Sequence, residues 1–482
     1  MSESFTFDFQ QILPDVILSL FGIIILMADP FVSRARKSWL GIIGLFGIGA
    51  AGIATLNMTG NDTVTVFSGM IIVDRFGLFF RLSFLLIAGL TLLASLDYMK
   101  KQELNLAEYH ALLLFATVGM NFMAASNELI MVFLGLETLS ISCYILLGLR
   151  RSDPRSNESA LKYFLLGSFS SAFFLYGIAM AYGATRTTNL ELIAKRVLEG
   201  SANMGLIYLA ASLMFVGFAF KVATAPFHVW TPDVYEGAPT PITGFMSVGP
   251  KAAGFAILTR VFWVAFPTVY GEWFTLAWIS AVLTMTLGNV VAIAQSNIKR
   301  MLAYSSIAHA GYILAAFASR EDGIPAVLFY ALSYAFMNIG AFTVVALIER
   351  GNDRKNSIED YAGIGFKQPL LAACLSTFLL SLAGIPLTAG FAGKFFIFRA
   401  AIKSHLIWLA IIGFLNSAVS VYYYLRVIVT MYMKEADADY IPVSIPPSAA
   451  FVLCFSALAI LQLGIYPNFV ISLAKSSVFG FK

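Results

Sequence analysis

Charge is scarce in this chain. Asp, Glu, Lys and Arg make up 12% of its 482 residues, against about 25% in soluble globular domains, too few to build a water-facing surface. Cysteine is scarcer still. Cys143, Cys374 and Cys454 each stand alone in an apolar run, which excludes a disulfide framework and any zinc or iron–sulfur spacing and leaves them as small buried hydrophobes. His110, His228, His309 and His405 are equally isolated, so no haem or metal pair is present and no redox cofactor site is expected in this chain. Lys and Arg exceed Asp and Glu only by 31 to 27, without a basic run, and no nucleic-acid partner is expected. The stretch MSESFTFDFQQILPD carries Asp8 and Asp15 and no basic residue. It lacks the n-region of a cleaved signal peptide, so the first apolar run is expected to stay as a helix. Room for a soluble domain is missing too, since the longest connections, 184–204, 350–368 and 434–447, are too short to fold alone. Gly47, Gly49 and Gly52 match a dinucleotide-binding spacing but have no strand before them; close helix packing explains them better.

What is abundant is hydrophobic residues, 59% of the chain. Runs of about 20 mainly apolar residues, the length that crosses a bilayer, fall near 11–31, 39–56, 76–97, 109–125, 128–149, 161–183, 205–228, 241–265, 274–295, 301–318, 325–348, 369–399, 407–432 and 449–473. The expected fold is an all-α polytopic membrane protein with about 14 transmembrane helices and both termini on one side. With the N-terminus outside, the inner loops hold Arg34, Arg36, Lys37, Lys100, Lys101, Arg150, Arg151, Arg155, Lys299, Arg300, Arg350, Arg354, Lys355, Lys367 and Lys434. The outer segments hold Arg75, Arg81, Arg186, Lys195, Arg196, Arg320, Arg399, Lys403, Lys475 and Lys482. The inner excess favours that orientation.

The stretch 214–255 organises the reading. It sets Lys221 in one apolar run, breaks at Pro226, passes a polar turn, and sets Lys251 in the next run. A second proline break, Pro386, follows 160 residues later. Five-helix blocks with a break in the fourth helix enter the membrane from opposite sides, as in inverted-repeat transporters. The expected organisation is a three-helix segment over 1–108, repeats over 109–267 and 268–435, and a final helix over 436–482. Each proline frees the carbonyl four residues back, on Val222 and Leu382, which then needs water or protein.

Charges inside spans are costly and mark functional paths. Glu137 lies in the fifth span, Lys162 in the sixth, Lys221 in the seventh, Lys251 in the eighth and Lys394 in the twelfth. Polar stripes at helical spacing accompany them: Glu137, Ser140 and Tyr144; Tyr330, Tyr334 and Asn338; Asn416, Ser420 and Tyr424; and His309 with Tyr304, Ser305 and Ser306 on the turns before it. Lys162 near its helix end also has a plain reading, a lysine reaching the interface. For His309 the plain reading is a ring satisfied by neighbouring hydroxyls. Arg260 and Arg426 read as peripheral and structural, and Asp233 and Glu236 as braces of the turn after the first break. His228, just past Pro226, reads as a loop contact.

The segment KVATAPFHVWTPDVYEGAPTP resembles the signature of the antiporter-like subunits of respiratory complex I and of Mrp-type sodium/proton antiporters. Within that group SALKYFLLGSFSSAFFLYGIAMAYGAT, NIKRMLAYSSIAHAGY, LSLAGIPLTAGFAGKFFIF and VYYYLRV are similar to the subunit N branch of bacterial NADH-quinone oxidoreductase. The resemblance runs through most of residues 100–435. It implies two inverted five-helix bundles and a relay in which Glu137 pairs with Lys221, Lys251 stands at the centre and Lys394 lies in the second broken helix. Lys162, His309 and Tyr304 match polar positions of less settled role. It also implies that NADH, FMN, iron–sulfur clusters and quinone belong to partner subunits. Other membrane subunits, including a neighbouring antiporter-like one, are expected around this chain in the bacterial inner membrane. The expected activity is proton translocation coupled to electron transfer in other subunits; the alternatives are a component of a multisubunit sodium/proton antiporter and a non-conducting structural subunit.

Lysine suits such a relay because burial disfavours its charged form and a nearby carboxylate favours it again. At an effective dielectric near 20, unit charges about 4 Å apart interact by about 4 kcal/mol. That exceeds the load of about 2.3 kcal/mol per charge at about 100 mV. For Lys394, a proton-carrying role implies that Lys394→Glu retains more translocation than Lys394→Arg, since guanidinium stays protonated.

Overall fold

A computed structural model describes residues 8–33, 37–59, 63–104, 106–349, 356–436 and 442–478. Arg34, Arg36, Arg350, Arg354, Lys355 and Lys482, placed above in loops and tails, lie outside the described residues. The apolar runs become helices: α1 Leu13–Ala28, α2 Ser38–Leu56, α3 Arg75–Lys101, α4 Ala107–Ala125, α5 Leu129–Leu147 and α6 Pro154–Thr185. After them come α7 Leu190–Leu198, α8 Met204–Val222, α9 Thr231–Gly237, α10 Thr240–Ala265, α11 Tyr270–Ile293, α12 Ile298–Phe317 and α13 Arg320–Ile348. The chain continues with α14 Ile364–Lys367, α15 Pro369–Ala383, α16 Ala389–Lys403, α17 Ile407–Met433, α18 Pro447–Ile465 and α19 Asn468–Ser476. The sole sheet among the described residues is the hairpin β1 Val64–Val66 and β2 Ile71–Val73, with Val64 opposite Val73.

Among the described residues ten helices are long and apolar enough to cross a membrane. The helices α4, α10 and α12 have 19, 26 and 20 residues but are less apolar, because they form the interior. In α10 every residue except Val264 is buried. Those three, together with α15 and α16 as one broken span, bring the ten to the fourteen expected. The connection 184–204, read as plain loop, contains α7, whose Leu190, Ile193 and Val197 are buried on one face while Lys195 and Glu199 face out.

The breaks are made differently from the expectation. Neither helix stops at its proline. In α8 the stop is Ala223 in the left-handed region at φ 60°, with Thr224 N–H donating to Ala219 O at 2.9 Å and Ala223 N–H to Phe220 O at 3.1 Å. In α15 it is Gly384 at φ 89°, with Ile385 N–H donating to Leu380 O and Gly384 N–H to Ser381 O, both at 3.0 Å. Both are the same 6→1 and 5→2 helix stop. The prolines follow two or three residues later, where they keep the chain from resuming the helix.

Two buried ion pairs tie the first three helices to the rest, and both correct the sequence reading. Arg81, expected in an outer segment, lies inside α3 and reaches Asp15 of α1 at 2.9 Å, with Asn121 of α4 donating to the same carboxylate at 2.8 Å. Arg260, read as peripheral, is buried in α10 and donates through both terminal nitrogens to Asp74 at 2.8 Å each, and through Nε to Ala124 O at 3.2 Å. Each cation persists in the interior because a carboxylate and a backbone carbonyl accept from it, Gln11 O for Arg81 and Ala124 O for Arg260. Removing one partner strands the other charge, at a cost of about 3–5 kcal/mol. Arg260→Leu is therefore expected to abolish most accumulation of the folded chain in membranes, judged by native gels, while Asp74→Asn/Arg260→Leu recovers a large part. A double variant no better than the single would show that Arg260 acts through packing alone.

Candidate functional site

On α5, Glu137, Ser140 and Tyr144 share one face at helical spacing, and α6 packs against it. Lys221, one residue before the end of α8, is buried and points into this contact. Its Nζ donates to Ser140 Oγ at 2.8 Å and to Tyr163 Oη of α6 at 3.2 Å. Glu137 instead accepts from Ser171 Oγ of α6. No ion pair joins Glu137 to Lys221 in this arrangement; Ser140, one turn along α5, takes the ammonium. Beside Lys221, a cavity of about 10 Å³ is lined by Ser140, Ser170, Ser171 and Lys221, about the space one water needs.

Lys251 lies at the centre of α10, buried. Its Nζ donates to Ser306 O of α12 at 2.9 Å and also to Ser306 Oγ, and the ring of Tyr235 from α9 lies 5.9 Å away. The helices α8 and α10 meet at Gly254, where a Cβ would come within 2.7 Å of Val222 Cγ1 and 3.6 Å of Lys221 Cγ. This glycine brings the stem of Lys221 against α10, one helical turn from Lys251. A second cavity of about 10 Å³ is lined by Lys251, Ser306 and Tyr334 of α13.

Beyond it hydroxyls and aromatic rings gather around His309. Asn338 Nδ2 donates to Tyr334 Oη at 2.6 Å, and the Tyr334 ring lies 5.0 Å from that of His309. His309 Nδ1 meets Tyr330 Oη at 2.6 Å, and its Nε2 meets Tyr424 Oη at 3.0 Å. Tyr424 also bonds Ser305. Lys394 comes next, on α16 just after the second break. Its Nζ donates to Leu382 O and Ala383 O at 3.0 Å each and to Ser417 Oγ at 2.9 Å, over the Tyr312 ring at 5.0 Å. The freed carbonyl expected on Leu382 is thus held by a lysine side chain, across a gap that two helix stops create.

Two of the expected residues stand apart. Lys162 is 40% exposed and pairs with Glu158 at 2.7 Å and Asp233 at 2.8 Å. Arg300 joins Asp233 at 2.9 Å to Glu236 at 2.8 Å, completing a network at one end of the bundle rather than in the buried row. Tyr304 is partly buried and takes no part in the bonds described here; the partners of His309 come from α13 and α17. The residues missed were Tyr163, beside Lys221, Ser171 and Ser417. Spacing along one helix does not signal them, because each becomes relevant only through contact between helices.

Residues 126–420 match the family described as "NADH:quinone oxidoreductase/Mrp antiporter, TM". A protein named NADH-quinone oxidoreductase subunit N from Trichlorobacter lovleyi is 50% identical over 475 residues, covering 98% of this chain and 97% of that one. The chain belongs to the subunit N family. A second member, from Solibacter usitatus, is 48% identical over 477 residues and 98% of each chain. Among solved structures, a chain of respiratory complex I from Thermus thermophilus with bound aureothin superposes at a TM-score of 0.81, with 34% identity over 96% of this chain and 99% of that one. A chain of the Mrp complex from Dietzia sp. shares the fold at a TM-score of 0.83 and 19% identity, over 97% of each. The membrane fold expected from the family resemblance is therefore the fold of this subunit N chain.

Proposed function

We propose that this subunit N chain translocates protons as a membrane subunit of an NADH-quinone oxidoreductase, coupled to electron transfer carried by other subunits. The observation that supports this reading most is the buried row itself: Lys221, Lys251, His309 and Lys394, on α8, α10, α12 and α16, each bonded to hydroxyls or carbonyls, with water-sized cavities beside Lys221 and Lys251. Such contacts leave each lysine free to take or release a proton, where a carboxylate at contact distance would fix it as an ion pair. In this reading residues 109–267 and 268–435 are two repeats that meet at Lys251. NADH, FMN, iron–sulfur clusters and quinone belong to partner subunits, which include a neighbouring antiporter-like subunit. The chain lies in the bacterial inner membrane with its N-terminus on the outer side. In support of that orientation, the loops bearing Lys101, Arg150, Arg300 and Lys434 gather at one end, linked through Arg150 to Gln102 and Glu349, Arg426 to Gln295, and Lys434 to Glu359.

Glu137 acts here as a switch rather than a fixed partner. When it leaves Ser171 and approaches Lys221, the ammonium is stabilised; when it returns, the proton is released along the row. Glu137→Ala is expected to assemble normally and to lower proton pumping and quinone reduction together by about tenfold, with Glu137→Asp milder. The measurement is dye-reported pumping in vesicles, normalised to assembled complex, beside NADH oxidation. Normal coupled activity of an assembled Glu137→Ala complex would remove Glu137 from the mechanism. Purification of the tagged chain without flavin- and iron–sulfur-bearing partners would favour a free-standing antiporter instead.

A further inference from the structure

The end of the bundle opposite Lys101 and Arg150 holds cations that the row does not use. Arg399 and Lys403 lie on the last turns of α16, and Lys475 in the last turn of the short helix α19, which packs on α13. Together with Asp322 of α13 the three line one cavity of about 420 Å³, within the range of small-ligand sites, about 300–1,000 Å³. Lys403 reaches Asp322 at 3.0 Å. Among the described residues Arg399 and Lys475 meet no carboxylate, so the single acid leaves two positive charges in the cavity.

The rest of the lining is apolar, with Phe396 and Ala400 from α16, Ala326 from α13 and Ile471 from α19. A lysine or arginine that merely reaches for water at a helix end needs no concave surface, yet here two helices bring their cations to one hollow. The depth is that of a membrane boundary. From the break, where α16 starts at Ala389, Arg399 stands about 15 Å along the axis and Lys403 about 21 Å, at about 1.5 Å per residue. Half of the hydrocarbon core is about 15 Å, and the headgroups lie beyond it. Back from Arg399 toward the break, Phe395 and Phe391 follow at four-residue steps on one face. Both rings are exposed, so an apolar track leads from the cavity into the hydrocarbon.

We propose that this cavity holds the phosphate of an anionic phospholipid, gripped by Arg399 and Lys475, with an acyl chain laid along Phe395 and Phe391. The guanidinium presents paired N–H donors to two phosphate oxygens, and the ammonium of Lys475 supplies the second positive charge. A zwitterionic lipid carries a cation of its own beside its phosphate and gains less from two unpaired positive charges. The bound lipid joins the second half of the broken span to α19. The inference does not depend on proton translocation.

The test uses the intact complex, stripped of lipid in detergent and returned to vesicles of zwitterionic lipid. The probe is a trace of phosphatidylglycerol with a photoreactive group near the head of one acyl chain. After illumination, the α16 peptide around Phe395 is expected to carry about tenfold more label than with the matching phosphatidylcholine. The double variant Arg399→Gln/Lys475→Gln, which alters two exposed side chains, is expected to assemble and to lower the phosphatidylglycerol label to the phosphatidylcholine level. Equal labelling by the two lipids in the wild-type complex overturns the proposal, whatever the variant does, because the track is then plain lipid-facing surface. Undiminished labelling of the double variant overturns it as well. Loss of label on adding inorganic phosphate would make free phosphate the occupant, and a carbodiimide link from Lys475 to a carboxylate of another subunit would make it a protein segment. Either result overturns the lipid.

Discussion

Lys251→Ala should leave no more than about a tenth of wild-type proton pumping in an assembled complex, with quinone reduction falling alongside. The side chain is the link between the two halves: its ammonium reaches Ser306 of α12, the ring of Tyr235 lies beside it, and Gly254 on its own helix holds Lys221 nearby. Truncation to Ala removes the charged group that lines the cavity before Tyr334. The fold should survive. What is lost locally is hydrogen bonding to a charged donor, about 1.5–3 kcal/mol, against the packing of a helix buried almost throughout. Dye-reported pumping and NADH oxidation, each divided by assembled complex on a native gel, check both halves of the statement. An assembled variant that pumped normally would exclude Lys251 from the path.

Lys394→Arg should separate charge from proton transfer. The cation sits on Leu382 O and Ala383 O, the last carbonyls of α15, where the helix dipole is negative. An arginine keeps that positive charge and several donors, so the break stays capped and the complex assembles. Guanidinium does not release its proton, and pumping is expected to fall by about tenfold. The same carbonyls revise the sequence-based expectation that Lys394→Glu retains more translocation than Lys394→Arg. An ionised carboxylate would face two carbonyl oxygens and be repelled, while a protonated one would donate to a carbonyl and stay protonated. Neither form cycles, so Lys394→Glu is expected to pump no better than Lys394→Arg and to assemble less. Near-normal pumping by Lys394→Arg would make Lys394 a fixed cap on the broken helix.

Much of this was legible in the chain, and the failures have a common cause. Apolar runs of membrane length marked the helices, and the lysines inside them marked the row, because one helix's own sequence determines both. The polar stripe of Tyr330, Tyr334 and Asn338 was visible at helical spacing and does line the row. Partner choice was not visible. Glu137 was expected on Lys221, yet the rotation of α5 against α8 delivers Ser140, and α6 adds Tyr163. Tyr304, five residues before His309, was placed on the turns beside it, yet Tyr424, 115 residues away, meets the ring. Arg260 and Asp74, 186 residues apart, are joined only by tertiary contact. The stops at Ala223 and Gly384 were hidden behind the more conspicuous prolines. Alanine favours helix and gives no sign of a left-handed turn, whereas Gly384 did carry a signal, glycine at the end of an apolar run ahead of a proline.

The central claim is that the buried lysines titrate rather than serve as fixed charges. Replacing Lys221, Lys251 and Lys394 together by Arg preserves every positive charge and removes every proton release. The measurement is protons translocated and NADH oxidised by that complex in vesicles, normalised to its assembled amount. Loss of pumping to about a tenth or less in a complex that still assembles is the expected result. Wild-type pumping by the triple variant would contradict a lysine relay and leave the row as an electrostatic scaffold.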